Sequence, residues 1–259
     1  MGSPKRDGLS HDEILRHAEA LFFVDDLEHP VIRNEDMHHL LDVLRPRVGL
    51  HFALSDGRGS WRKAVITSLP RSQRRSRGAV SSSEEFLFDL DAIHTVSGDE
   101  QVELTVAFAM PKGDRLDLVV QKLTELGIDR IVPLITKRTV VRLDDKERQR
   151  RRDRLNRVAM EACSQSRRLN LPLVTEPQTL EHFLRAAPEH TVFAEPGGVT
   201  FDATIRCVII GPEGGFDQDE LPEHAQSVGL GPNILRVETA AIATATLLSA
   251  LRSGVIGLH

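Results

Sequence analysis

Cysteine is scarce in this chain: Cys163 and Cys207 are the two it has. Two isolated cysteines do not make a disulfide framework. No C-x-x-C and no H-E-x-x-H occurs, so a dedicated metal site is not expected despite 11 histidines. No run of 18 apolar residues exists, and the opening MGSPKRDGL has no apolar signal core. Neither a membrane span nor a secretory leader is expected, and the chain reads as cytoplasmic. Two phosphate-binding fingerprints are missing as well. The glycines are not spaced G-x-G-x-x-G, which excludes a Rossmann dinucleotide loop, and no Gly-Lys-Ser/Thr closes a Walker loop. Positive charge is not in excess either: the net charge is −5, so any nucleic-acid contact has to come from local patches.

What is present is an ordinary globular composition, 40% hydrophobic and 27% charged, in 259 residues. That length holds one large domain or two ordinary ones. The chain is organised around residues 205–251. An apolar strand at 206–210 runs straight into GPEGGF (211–216), and a short second strand at 234–235 runs into RVETA (236–240). A helix rich in Ala and Thr follows. In an open α/β sheet, ligands bind outside the carboxyl ends of parallel strands. Gly211, Gly214 and Gly215 permit positive φ and bring bare backbone close to a ligand, while Pro212 stiffens the loop. Glu213 would repel a phosphate, so the loop fits a neutral or cationic ligand. A tight strand-to-helix turn is the plain alternative.

Earlier in the chain, Ser10 and Glu13 have capping-box spacing ahead of a short helix over 11–20, and LFFV (21–24) reads as a strand. MHHLLDVLR (37–45) has helical spacing and stops at Pro46. Residues 50–69 alternate apolar and polar about Asp56-Gly57, a hairpin signal, and 85–93 is a further strand. Short strands at this spacing point to a small β-barrel. The Arg- and Ser-rich stretch at 70–85 has the composition of a disordered surface insertion, the alternative being a basic arm on phosphates. A composition shift near Ser97-Gly98 marks a boundary. The expected organisation is an extension at 1–20, a barrel domain at 21–98 and an α/β domain at 99–259.

In the second domain VELTVAFAM (102–110) is a continuous apolar run, as a buried parallel strand requires. A helix over 115–128 with Gly127 at its end and a strand at 130–136 complete a right-handed β-α-β unit. A long helix over 146–169 carries Lys146, Arg148, Arg150, Arg151, Arg152, Arg154 and Arg157 against Glu147 and Asp153. Such runs are usually solvated faces; the one-signed excess makes RNA or DNA contact the alternative. A helix around 180–186 follows, then a strand at 191–198 ending in FAEPGG. Three loops, FAEPGG, GPEGGF and LRVETA, then share one edge of a parallel sheet. Together they enclose a mid-sized ligand with backbone groups and apolar walls.

These motifs carry a resemblance. GPEGGF followed by LRVETA resembles the signature of the RsmE-type RNA methyltransferases of the SPOUT superfamily, the 16S rRNA (uridine-N3)-methyltransferases. LFFVDD, MHHLLDVLRPRVG, PKGDRLDLVVQKLTELGIDRIVPLITKRTVV and MEACSQSRRLNLP extend the likeness over nearly the whole chain. The resemblance implies a SPOUT-type parallel sheet with a C-terminal trefoil knot, preceded by a PUA-like β-barrel that grips RNA. It implies S-adenosyl-L-methionine as cofactor, S-adenosylhomocysteine as product, a homodimer, and 16S rRNA or the small ribosomal subunit as partner, with no membrane and no DNA. Cofactor-binding positions carried over are Phe193, Ala194, Glu195, Ile210, Gly211, Pro212, Glu213, Gly214, Gly215, Ile234, Leu235, Arg236, Glu238, Thr239 and Ala240. RNA-binding positions are Arg45, Lys112, Arg138, Gln165, Arg167 and Arg168. Three departures stand out: Leu21 replaces an Arg common near the family's start, Lys137 replaces an acidic residue, and the insertion at 70–85 is longer than usual.

For methylation of uridine nitrogen 3, the ring proton has to leave and the developing anion needs cations near the uracil carbonyls. Arg236 with Arg138, Arg167 and Arg168 are candidates for the cation, and Glu213 and Glu238 for the base. The alternative for either carboxylate is to face the sulfonium or to cap a helix. The competing function is a non-catalytic RNA-binding or ribosome-assembly protein that keeps the fold; a small-molecule nucleotide enzyme using the same loops is a third.

Overall fold

The computed structural model describes residues 11–69, 87–96, 102–111, 115–138, 143–217 and 219–256. The basic stretch at 70–85 and the RNA-binding candidate Lys112 lie outside the described residues. The chain divides into two compact units, Met1–Gly98 and Asp99–His259. No helix among the described residues is long and apolar enough to cross a membrane.

The first unit holds α1 (His11–His17), β1 (Leu21–Phe23), α2 (Asn34–His38), β2 (His51–Ser55), β3 (Ser60–Ser68), β4 (Leu87–Leu90) and β5 (His94–Thr95). β1 pairs parallel with β2, and β3 pairs antiparallel with β2, β4 and β5. The hairpin between β2 and β3 is closed by Asp56, whose Oδ1 accepts from the Arg58 and Ser60 amides at 2.8 and 3.1 Å. One core forms around Phe22, Phe52 and Phe88, stacked edge to face at 5.6 and 5.8 Å. The helix expected over 37–45 begins earlier, at Asn34, and finishes as a π-helical turn over His39–Val43. It ends short of Arg45, as expected because the helical region is disfavoured before Pro46; Arg45 itself adopts a left-handed φ of 49°.

The second unit is built on parallel strands: β6 (Thr105–Ala109), β7 (Arg130–Ile135), β8 (Leu173–Val174), β9 (Gln178–Thr179), β10 (Thr191–Val199), β11 (Cys207–Ile210) and β12 (Ser227–Val228). Their order is β12-β10-β11-β6-β7-β8, with β9 also beside β7. Alternate side chains serve two cores, as the strand period demands. Val106, Phe108, Val208 and Ile210 face α3 (Arg115–Glu125), α4 (Asp145–Ser166) and α6 (Val237–Arg252). Ala107, Val132, Cys207 and Ile209 face α5 (Leu180–Leu184) and the rings of Phe193 and Phe216. Burial pushes the Cys163 thiol up to about 11 and the Cys207 thiol up to about 12. Neither is a thiolate nucleophile at neutral pH.

Two expectations about this sheet are corrected. Residues 234–235 are not a strand; the partner of β10 at the sheet edge is β12. Apolar sequence at 234–235 reflects a wall position instead, and Ile234 is 83% exposed. The EPGG segment is not a free loop either. It continues β10 across a register shift, so that Val199 again pairs with Val228. Gly198 makes this possible: a Cβ there would lie 2.5 Å from the Val228 carbonyl carbon and 2.7 Å from its nitrogen. Backbone cannot yield as a flexible side chain does. Gly198→Ala is therefore expected to lower unfolding free energy by about 1–3 kcal/mol in urea titration; a loss under about 0.5 kcal/mol, the range of neutral surface changes, would contradict the close approach.

Candidate active site

β11 ends at Ile210, beside Ala194 of the parallel strand β10, and a cavity of about 220 Å³ opens there. Ala194, Glu195 and Pro196 form one wall, and Ile210, Gly211, Pro212, Glu213 and Gly215 a second. Leu230, Gly231, Asn233, Ile234 and Leu235, with Ala240 of α6, close the third. The structure thus brings together segments that sequence reading placed on one sheet edge. Pro196, Leu230, Gly231 and Asn233 were not foreseen; the turn-forming GLGPN run before Ile234 was the available signal.

The 211–216 lip is fixed from beneath and from the side. The Gly215 amide donates to the Pro212 carbonyl at 2.8 Å, closing a tight turn. Phe216 folds back so closely that a Cβ on Gly211 would lie 2.7 Å from its ring. The same ring meets Phe193 edge to face at 5.5 Å. Phe193 accordingly lies in the core beneath the lip and does not line the cavity.

Outside the lip, the end of β7 supplies two consecutive cations. Arg138 Nε donates to Asp217 Oδ1 at 2.7 Å, and its Nη1 donates to the Gly214 carbonyl. Lys137 pairs with Asp219, and its backbone amide donates to Glu220 Oε1 at 2.8 Å. Glu220 Oε2 in turn accepts from the Asp217 amide at 3.1 Å. The hydrogen bond between them holds Lys137 above its ordinary pKa and Asp219 below its own. The pair consequently persists to lower pH than a free aspartate would allow, and is lost as Asp219 is protonated in acid. Arg138, an RNA-binding candidate from the sequence, is thereby engaged in clasping the lip. The acidic DQDE run directly after GPEGGF, opposite a Lys-Arg pair, was the signal for this clasp.

At the start of α6, Arg236 is the N-cap and is exposed, with no side-chain capping bond; Thr239 is exposed too. Glu238 is mostly buried. Its Oε1 lies 3.3 Å from Arg115 Nη1 of α3, and its Oε2 is buried with no hydrogen-bond partner among the described residues. A buried carboxylate oxygen without a donor is costly, which marks it as a place for a ligand donor. Gln165 is exposed near the end of α4. Arg167 terminates that helix in the left-handed conformation, φ 59°, and its Nη1 donates to the Ser164 carbonyl.

Arg168, an RNA-binding candidate from the sequence, is anchored within the fold. Its guanidinium donates to the carbonyls of Thr124 and Ile128 at 3.0 and 2.7 Å and to Asp129 Oδ1 at 2.9 Å. Burial holds its pKa below the usual arginine value. Asp129 also receives Arg252 from α6 and the Leu104 amide. This cluster joins the starts of β6 and β7 to the ends of α3, α4 and α6, at the sheet edge opposite the cavity. It holds the fold together, with both terminal nitrogens of Arg168 engaged by backbone carbonyls and Asp129.

Residues 98–249 match the RNA methyltransferase domain family. Ribosomal RNA small subunit methyltransferase E of Synechocystis sp. is 30% identical over 83% of this chain and 71% of its own length. Among solved structures, a methyltransferase of Legionella pneumophila in complex with the cofactor SAM superposes with a TM-score of 0.73 at 26% identity, over 89% of this chain and 96% of its own. Ribosomal RNA small subunit methyltransferase E from Neisseria gonorrhoeae, bound to S-adenosyl methionine, gives 0.70 at 25% identity, over 90% and 97%.

Proposed function

This chain belongs to the RNA methyltransferase domain family, in its ribosomal RNA small subunit methyltransferase E branch, and we propose that it transfers a methyl group from S-adenosyl-L-methionine to ring nitrogen 3 of a uridine in 16S ribosomal RNA. The observation that carries the reading is the cavity at the end of β11 beside β10, in a chain similar over nine-tenths of its length to a structure that holds this cofactor.

The residues present fit the cofactor. Bare backbone at Gly211, Gly215 and Gly231 offers fixed donors and acceptors, Leu230 and Leu235 offer apolar walls, and Glu195 and Glu213 add negative charge that suits a sulfonium. When bound, S-adenosylmethionine supplies an already activated methyl group and leaves as S-adenosylhomocysteine. The chain's own task is to orient the uridine and remove its ring proton. Glu238 fits the second role: Arg115 engages one oxygen, and the other waits buried for an N–H donor, two residues from the cavity residue Ala240. Arg236, exposed at the N-cap of the same helix, is placed to stabilise charge developing on a uracil carbonyl. Glu213, exposed on the lip, is the second carboxylate and faces the cofactor in this reading.

The finer architecture belongs to the same proposal. Gly229 donates to the Val199 carbonyl and α6 packs against β6 and β11, and the course of the chain between them is read as a trefoil knot. The five strands of the first unit are read as a PUA-like barrel that binds RNA. The active form is read as a homodimer in the cytoplasm, acting on the small ribosomal subunit or its RNA.

Glu238→Gln separates the roles. Calorimetry is expected to give cofactor affinity within about threefold of wild type, while kcat falls by roughly 100-fold or more. An equal loss in affinity and turnover would assign Glu238 to holding the cofactor instead.

A further inference from the structure

The seven cations of the first half of α4 divide into two sets. Four are engaged within the chain. Arg148 donates to the Leu143 and Pro177 carbonyls, Arg151 pairs with Glu147, Arg152 with Asp153 and Glu176, and Arg154 with Asp117 at 2.5 Å. Lys146, Arg150 and Arg157 are exposed and have no hydrogen bond or ion pair among the described residues.

At 3.6 residues per turn these three fall within about 40° of one another, and span about 16 Å of helix. The buried positions Leu155, Ala159 and Ala162 lie on the opposite side. Asp153 shares the cationic face and pairs with Arg152 at 3.1 Å, so three cations stand against one carboxylate and the face keeps an excess of positive charge. Glu161, exposed one turn beyond Arg157, bounds it.

Within the chain the amino-terminal end of this stripe costs stability. Lys146 and Arg150 are like charges at i,i+4, which disfavours a helix. Lys146 is also in the first turn, after the N-cap Asp144, where the helix dipole disfavours a cation. A net charge of −5 repels a polyanion at long range, so an RNA substrate needs a local cationic track of this kind.

We propose that the exposed face of α4 bearing Lys146, Arg150 and Arg157 binds the phosphate backbone of the RNA substrate. The inference rests on the RNA methyltransferase reading and names the surface that reading leaves open. The contact is to phosphates and is sequence-independent; it sets affinity and orientation of the RNA, while base choice is made elsewhere.

The test uses the full chain and unmodified small-subunit RNA. Arg150→Gln/Arg157→Gln is compared with wild type and with Arg154→Gln, a control whose cation is already paired. RNA binding is followed by fluorescence anisotropy across a salt series, cofactor affinity by calorimetry and oligomeric state by sedimentation. The double variant is expected to bind RNA about tenfold or more weakly near physiological salt, with the log–log salt slope shallower by about 1 per cation removed. Cofactor affinity, oligomeric state and the slope of the control stay unchanged. An unchanged slope in the double variant overturns the proposal. A shift in oligomeric state overturns it too, and gives the face to a second copy of the chain. Stripe-dependent binding without any methyl transfer by wild type supports the surface and overturns the activity it was read with.

Discussion

Replacing Arg138 by methionine is expected to weaken S-adenosylmethionine binding roughly 10- to 100-fold, with little change in melting temperature. Arg138 touches no cavity wall directly. It acts through the lip, with one arm on Asp217 at 2.7 Å and another on the Gly214 carbonyl, between cavity residues Glu213 and Gly215. Charge-assisted hydrogen bonds contribute about 1.5–3 kcal/mol when well shielded. The Arg138 side chain is 47% exposed, so each bond contributes less than that, on the order of 1 kcal/mol, and the two together correspond to the lower part of the expected loss. The thermal transition hardly moves because the Arg138 clasp lies at the surface, and Phe216, the lip residue that belongs to a core, keeps its packing on Phe193. Arg138→Lys keeps the charge and loses the fork, since an ammonium cannot reach both acceptors in the same geometry. It is expected to fall between wild type and methionine. Calorimetric affinity decides the matter. Unchanged cofactor affinity together with weakened RNA binding would return Arg138 to the RNA surface.

Asp129→Ala is expected to lower stability by about 3 kcal/mol, and the melting temperature by roughly 6–12 °C. The carboxylate is the common partner of Arg168 and Arg252, whose side chains are 14% and 18% exposed. Without it, two mostly buried guanidinium groups face each other with no counter-charge. The Leu104 amide, 3.0 Å from Asp129 Oδ2, loses its acceptor as well. Cofactor affinity is expected to stay within about threefold, because the cluster joins strand starts and the cavity lies at strand ends. Differential scanning calorimetry and a binding titration on the same sample test both halves. A transition within a degree or two of wild type would show that the arginines find other partners.

The parallel sheet of the second unit was legible because its strands are unbroken apolar runs, as in VELTVAFAM, which no solvated strand tolerates. The cavity segments were legible because GPEGGF combines glycines with a proline directly after such a strand. Pairings across long stretches of chain were not. Arg168 reads from sequence as a basic residue in a polar, RNA-like stretch; its partner Asp129 lies 39 residues away and is brought to it only by the packing of α4 on α3. Lys137 and Asp219 are 82 residues apart. The extension of β10 through EPGG was hidden because glycine and proline ordinarily end strands, whereas here Gly198 admits the backbone of β12. Residues 234–235 misled in the opposite sense: two apolar residues resemble a strand, but their place is the wall of a cavity, and a ligand wall and a sheet core have the same composition.

The most direct measurement is a nucleoside analysis. The protein is incubated with isotopically labelled S-adenosylmethionine and small ribosomal subunits that lack the modification, and the RNA is digested and examined by mass spectrometry. Labelled 3-methyluridine in 16S RNA is the predicted result, reduced by the clasp change Arg138→Met at cofactor concentrations near the wild-type Kd. Label on another nucleoside, or cofactor binding with no label in RNA, would contradict the proposed reaction.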